Sequence, residues 1–284
     1  MHIGIGLPTG IPRTDGQLAL EWALRADQGP FSHVAVVDRI AYDSYDPLVA
    51  LAAAAGVTRR VRLATTVVIG PIRNAVLLAR SAATLHALSG GRLVLGLAVG
   101  ARTEDYEAVG VPHKARGARF SEQLAALRAA WEERRIGPTQ TPARAPELLV
   151  GGLSHDAFGR VARYADGYIH GGGPPRAFAR AADRARAAWV DAGRPGRPLL
   201  WGQAYFALGD VETVEAGFRY MRDYYAFTGP FAEKIAQGLL TTPQAVAQLA
   251  RGYAEEGCDE LALMPAVASL DQVERLAEIV EGQR

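Results

Sequence analysis

The chain has 284 residues, of which 49% are hydrophobic and 21% charged, with a formal net charge of +1. Ordinary apolar content at that length supports one large core and excludes disorder, and the spread of its arginines excludes the phosphate-neutralising stripe of a nucleic-acid binder. No stretch approaches about 18 consecutive apolar residues, MHIGIGLPTG lacks the pattern of a signal peptide, and the lone Cys258 forms no intramolecular disulfide; a soluble cytoplasmic protein without a membrane partner is expected.

Eight short apolar runs bounded by Gly, Pro or Asp recur along the chain. They are His2 to Leu7, His33 to Val37, Val61 to Thr66, Leu93 to Ala98, Glu147 to Val150, Gly167 to His170, Leu199 to Phe206, and Glu260 to Pro265. Val34-Ala35-Val36-Val37 and Leu93-Val94-Leu95 are apolar without alternation, as in parallel strands covered on both faces. Helical patterns fill the gaps. Leu77, Ser81, Leu85 and Leu88 share one predicted helix face, opposite Arg73, Arg80 and Thr84. Ala157, Phe158, Val161, Ala162 and Ala165 form another, with Ser154 as N-cap and Asp156 in the first turn. The stretch from Gly137 to Pro146, with three prolines, is the least regular, and Asp210 to Gly257 holds two helices around Thr228-Gly229-Pro230. Strict β-α alternation with eight repeats predicts a single (β/α)8 TIM barrel over residues 1–284.

Active sites of such barrels form at the C-terminal ends of the strands. Those ends carry Leu7 with Pro8-Thr9-Gly10, Asp38-Arg39, Thr66-Val67, Gly100-Ala101-Arg102, Gly151-Gly152-Leu153-Ser154, and His170-Gly171-Gly172-Gly173. A Gly-Gly turn opening a helix lets a phosphate approach backbone N–H groups where the helix dipole favours an anion; it also serves as a plain tight connection. His170, Asp38 and Arg39 are the candidates for orienting or protonating a substrate, with structural pairing as the alternative for each. Arg102 and Glu104 read as a solvated pair at a loop tip. Tyr220, Tyr224, Tyr225 and Phe227 read as packing or as a substrate wall. The six histidines show no metal-ligand spacing, and no metal site is expected. The two lysines, Lys114 and Lys234, stand at no strand end, which counts against a Schiff-base aldolase.

Ordered blocks then carry a family resemblance: Asp46-Pro47-Leu48-Val49-Ala50-Leu51, Val61-Arg62-Leu63-Ala64-Thr65-Thr66, Ala79-Arg80-Ser81-Ala82-Ala83-Thr84-Leu85, and Ser89-Gly90-Gly91-Arg92-Leu93. Tyr106-Glu107-Ala108-Val109-Gly110-Val111-Pro112, Val150-Gly151-Gly152-Leu153-Ser154 and Arg163-Tyr164-Ala165-Asp166-Gly167-Tyr168 continue it. The chain resembles the bacterial-luciferase-like flavin-dependent oxidoreductases. The resemblance implies a barrel binding FMN or the deazaflavin coenzyme F-420 at its mouth. It implies a non-prolyl cis peptide at Thr66-Val67 behind the ring, a phosphate turn at Gly151, Gly152, Leu153 and Ser154, and a ring-side position for Asp38. Leu7, Gly100, His170, Gly171 and Gly172 complete the expected cofactor side. The sugar-phosphate dehydrogenases of the family place a histidine after strand two and a glutamate after strand four; Arg39 and Ala101 stand there in this chain, against that mechanism.

The favoured expectation is an FMN-dependent monooxygenase of a small organic substrate, fed with reduced flavin by a separate reductase. The alternatives are an F-420-dependent reductase of an electron-poor C=C or C=N bond and a non-catalytic flavin-binding or interaction barrel. The resemblance also implies a homodimer through the early barrel helices.

Overall fold

Strands that read as continuous apolar runs form a sheet with no exposed face. In the computed structural model, which describes residues 1–133, 136–138 and 145–282, these are β1 (His2–Gly6), β2 (His33–Val36), β3 (Arg62–Thr65), β4 (Val68–Ile69), β5 (Leu93–Ala98), β6 (Glu147–Gly151), β7 (Gly167–His170), β8 (Leu199–Phe206) and β9 (Glu260–Pro265). Every pairing is parallel. β1 pairs with both β2 and β9, which closes the barrel. β3 and β4 both pair with β5, so they form one stave of an eight-stave TIM barrel, interrupted by a cis peptide between Thr66 and Val67.

The helices are α1 (Gly16–Gln28), α2 (Pro47–Val57), α3 (Ala75–Leu88), α4 (Thr103–Ala108), α5 (Arg116–Glu132), α6 (His155–Tyr164), α7 (Pro175–Asp191), α8 (Val211–Tyr224), α9 (Phe231–Ala236), α10 (Pro243–Glu255) and α11 (Asp271–Glu281). Asp15, Asp46, Asn74, Ser154, Asp210 and Thr242 each cap a helix, their side chains accepting N–H bonds that the first turn leaves open. Ser154 with the buried Ala157, Phe158, Val161 and Ala162 fulfils the reading of α6. Two readings change. α3 buries Leu78, Ala79, Ala82, Ala83 and Leu85, while Leu77 is 63% and Leu88 74% exposed, because its apolar residues run round the helix and the layer selects one side. The region from Asp210 to Gly257 holds three helices rather than two, since Phe231–Ala236 forms a short helix of its own. Of the Gly137 to Pro146 stretch, residues 139–144 lie outside the described residues.

Side-chain alternation separates two cores. Val34, Val36, Leu63, Leu95, Leu148 and Tyr168 face the helices, with Trp22, Phe120, Phe158 and Phe178 packed against them. Ala35, Ala64, Val94, Leu149, Ile169, Trp201 and Ala262 fill the barrel interior. β1 contributes Gly4 there because a methyl group at that position would run into the His33 ring.

The N-terminal floor of the barrel is polar. His33 Nδ1 lies 3.1 Å from Glu260 Oε2, which also accepts from Ser32 Oγ at 2.7 Å. The His33 ring lies against Trp201, 4.6 Å between centroids, and Arg62 forms an ion pair with Glu147 and stands 3.9 Å from Glu260. Burial alone would raise the Glu260 carboxyl; the hydrogen bonds and charges of His33, Ser32 and Arg62 outweigh it and hold the group below the usual glutamate range. A carboxyl depressed on folding stabilises the protein above its unfolded pKa, and that contribution is lost as pH falls through the folded value. Urea unfolding followed from neutral pH downward is therefore expected to show an acid limb below about pH 4.5, and Glu260→Gln to flatten that limb while lowering stability at neutral pH.

Candidate active site

The mouth has two unlike sides. On the side of β3 to β7 the backbone is bare. Thr66 is buried with its hydroxyl near Met264 Sδ, and Val67 packs onto the interior cluster on the far side of the cis bond. β6 ends in Gly151, and Gly152 follows at φ +130°, a conformation that suits glycine. A Cβ there would stand 2.8 Å from Ala157 in the first turn of α6, so this loop leads straight into the helix N-terminus. Ser154 Oγ accepts from Ala157 N at 3.2 Å, and Leu153 is exposed with its carbonyl held by Arg184 at 2.8 Å. Across the rim, Gly171 faces open space. Gln203 Oε1, from the neighbouring β8, is buried with no hydrogen-bond partner among the described residues. Cleared backbone, a helix N-terminus and an unmet amide oxygen fit a flat heterocycle with a phosphate.

The other side is an aromatic cap. Tyr205, near the end of β8, meets Tyr220, Tyr224 and Tyr225 from the end of α8 with centroid separations of 6.0–6.5 Å. Burial and the surrounding phenols push the Tyr205 pKa well up. Its hydroxyl, beside Tyr225, has no well-formed hydrogen bond among the described residues. The Tyr224 hydroxyl is raised by burial to about 12 against the opposing charge of Arg102. The four predicted aromatic residues thus pack on one another and over the barrel at once.

The predicted polar candidates fall in different places. Asp38 is buried, accepts from Ile69 N at 3.0 Å and receives Arg73 on both oxygens at 3.2 Å. Its desolvation exceeds these compensations and raises its pKa. It braces the strand beyond the cis peptide, and both oxygens are engaged. Arg39 lies over Tyr42 at 4.1 Å and donates to Tyr224 O at 3.0 Å and to Glu104 at 3.3 Å, which ties the loop after β2 to the cap. His170 stands on the outer face of β7: its Nδ1 is 3.3 Å from the Tyr168 hydroxyl and its ring packs beside Phe178, both members of the barrel–helix layer. Burial lowers its pKa, opposed by the nearby Gly172 backbone. This is a packing position, since strand alternation turns it away from the interior. Leu7 faces the same layer. Gly100 packs on Ile69 at φ +69°, and Gly172 lies in the loop beyond β7 at φ +111°.

Arg102 and Glu104 are not the solvated pair expected of them. Arg102 is buried between Tyr224 at 4.7 Å and Phe227 at 4.5 Å, with Asp105 as its nearest carboxylate, while Glu104 turns to Arg39. Sequence reading also passed over Gln203 and Tyr205, which counting every second residue along β8 from the interior Trp201 would have found. Among the described residues no group of three or more His, Cys, Asp or Glu could hold a metal, and no helix is long and apolar enough to cross a membrane.

Barrel and mouth together define a (β/α)8 oxidoreductase scaffold. The sequence profile of the luciferase-like monooxygenases matches residues 1–282, and the chain belongs to that family; it is an oxidoreductase. It is 32% identical over 215 residues to an uncharacterised Mycobacterium tuberculosis protein, covering 64% of this chain and 74% of that one. It is 33% identical over 173 residues to a phthiodiolone/phenolphthiodiolone dimycocerosates ketoreductase of Mycobacterium bovis, covering 53% and 44%. An F-420-dependent secondary alcohol dehydrogenase in complex with an F-420–acetone adduct shares the fold, with a TM-score of 0.85 over 100% of both chains at 16% identity.

Since the Gly152 turn is closed by contact with Ala157, a carboxylate side chain placed there meets both a steric and an electrostatic obstacle at the helix N-terminus. Gly152→Asp is expected to weaken binding of coenzyme F-420 or FMN by about 10-fold or more in a fluorescence titration, with the far-ultraviolet circular dichroism spectrum unchanged.

Proposed function

We propose that the protein is a deazaflavin-dependent reductase that transfers hydride to a carbonyl carbon, with reduced coenzyme F-420 delivered by a separate enzyme. The observation that carries this reading is the Tyr205 hydroxyl, neutral, buried at the interior end of β8 and without a well-formed partner. The carbonyl chemistry in the names of the ketoreductase relative and of the alcohol dehydrogenase that shares the fold supports it. The bound deazaflavin would supply the hydride.

The protein's own part is to bind, orient and protonate. The bare backbone at Gly151, Gly152 and Gly171 would seat the cofactor, with its phosphate at the N-terminus of α6. Thr66 and Val67 would support the ring from below. The tyrosine cap excludes water from the substrate side, which strengthens every polar contact beneath it. Tyr205 Oη holds a proton at neutral pH and would give it to the oxygen that becomes an alkoxide, a far stronger base than a phenolate even when burial raises the phenol. Asp38 is committed to Arg73, Glu104 to Arg39, and Asp105 lies beside Arg102 with its Oδ1 on the backbone of Ile40 and Ala41, so no side-chain base is assigned.

The second reading is oxygenation of the substrate with reduced FMN, favoured by the family to which the chain belongs. We also propose a homodimer. α2, PLVALAAAAGV, is apolar all round, yet Val49 is 69% exposed, and Val76 and Leu77 on the adjacent α3 extend the same surface. A second copy would bury it.

Three outcomes are expected. Reduced F-420 is oxidised by ketones without oxygen uptake, whereas oxygen consumption with reduced FMN and no F-420 turnover would favour the second reading. Tyr205→Phe lowers kcat by about 100-fold or more with little change in KM, read in the same assay. Light scattering gives twice the chain mass for the wild type and the single chain mass for Leu77→Glu.

A further inference from the structure

An arginine in a polar segment, Ala101-Arg102-Thr103-Glu104-Asp105, is a residue that solvent ordinarily claims. Here its side chain is 9% exposed, and its guanidinium carbon stands over the Tyr224 ring at 4.7 Å and over the Phe227 ring at 4.5 Å. A guanidinium held against aromatic rings keeps its hydrogen-bond donors along the edge of the fork.

The other arginine of the cap, Arg39, has both terminal nitrogens engaged, Nη1 by Tyr224 O and Nη2 by Glu104. Arg102 has only a loose contact of its fork with the Tyr224 hydroxyl. The Nε of each is buried with no partner among the described residues. The nearest carboxylate oxygen, Asp105 Oδ2, lies 3.8 Å from Nη1, close enough to balance charge but beyond hydrogen-bond reach. Asp105 Oδ1 accepts from Ile40 N and Ala41 N at 2.9 Å each, while the Oδ2 that faces Arg102 is itself buried with no hydrogen-bond partner among the described residues. A buried cation neutralised at long range and poor in hydrogen bonds is costly unless a ligand supplies the acceptors.

We infer that Arg102 is a specificity-determining residue and that the substrate is a carbonyl compound bearing a carboxylate, which the edge of this guanidinium receives. The inference rests on the hydride-transfer reading and adds the chemical class of the substrate to it. A carboxylate offers two coplanar acceptors that match the fork, and the walls that stack on Arg102 exclude competing water. Tyr224 connects the two ends of the site: its ring lies 4.7 Å from the Arg102 guanidinium carbon and 6.5 Å from the Tyr205 ring. In the proposed complex one small molecule places its carboxylate at Arg102 and its carbonyl oxygen at the Tyr205 hydroxyl.

The test uses the cofactor-free protein and two probes of one shape, benzoate and benzamide, in calorimetric titrations. The wild type is expected to bind benzoate about 10-fold or more tightly than benzamide. Arg102→Met, which keeps an unbranched chain between the two rings, brings the ratio near one, and Arg102→Lys restores part of it. Equal binding of the two probes by the wild type overturns the inference even where a variant fails to fold. So does a preference that survives in Arg102→Met, or a fall of more than about 3-fold in F-420 affinity in that variant, which would assign the guanidinium to an anionic part of the cofactor. Because the probes are read without cofactor, absence of F-420 turnover removes the hydride-transfer reading alone, and the benzoate preference is scored separately.

Discussion

Closure of the parallel sheet between β1 and β9 is the constraint on which the remaining features depend. Ile3 lies opposite Leu261 in that pairing, and the register fixed there propagates round all eight staves. In a closed parallel barrel every loop that follows a strand emerges at one rim. Residues scattered from Thr9 to Met264 are gathered there only because the two ends of the sheet meet. The polar floor reinforces the closure: Glu260 on β9 reaches past β1 to His33 on β2 and Arg62 on β3 through side chains.

Above the floor, alternation assigns each side chain to the barrel or to the helix layer, and the chemistry of the mouth follows from that assignment. Gln203 and Tyr205 stand inward on β8, whereas His170 and Leu7 stand outward. Two of the mouth's charged groups then act as braces. Asp38 joins the end of β2 to Ile69 and Arg73 beyond the cis peptide, and Arg39 fastens the same loop to Tyr224. Apart from the Arg102 guanidinium, what they hold in place is neutral: phenols, an amide, a hydroxyl and bare backbone. Such a surface binds and orients, and the reactive power comes with the cofactor.

The barrel was legible in the sequence because a strand covered on both faces cannot alternate, so Val34-Ala35-Val36-Val37 and its counterparts stood out as apolar runs. The cap of α6 was equally plain, since Ser154 and its helix are local. What escaped was set by distant partners. Nothing near Arg102 announces that Tyr224 and Phe227 will cover it, and nothing near Asp38 points to Arg73. Leu77 and Leu88 looked like core residues because the sequence of α3 is apolar on several sides, and only the packed layer chooses among them. His170 sat at the right strand end, but the facing of a single residue there depends on a register that propensity does not provide.

The cap has a consequence for how such a protein diversifies. Tyr220, Tyr224, Tyr225 and Phe227 all belong to the segment between β8 and β9, whereas the glycine turns and the cis peptide lie on β3 to β7. The aromatic walls over the reactant and the glycine seat of the coenzyme are thus written in separate stretches of the gene, with Arg102 reaching the walls from the earlier one. Recombination or drift within the later stretch can reshape those walls while the glycine seat is inherited intact.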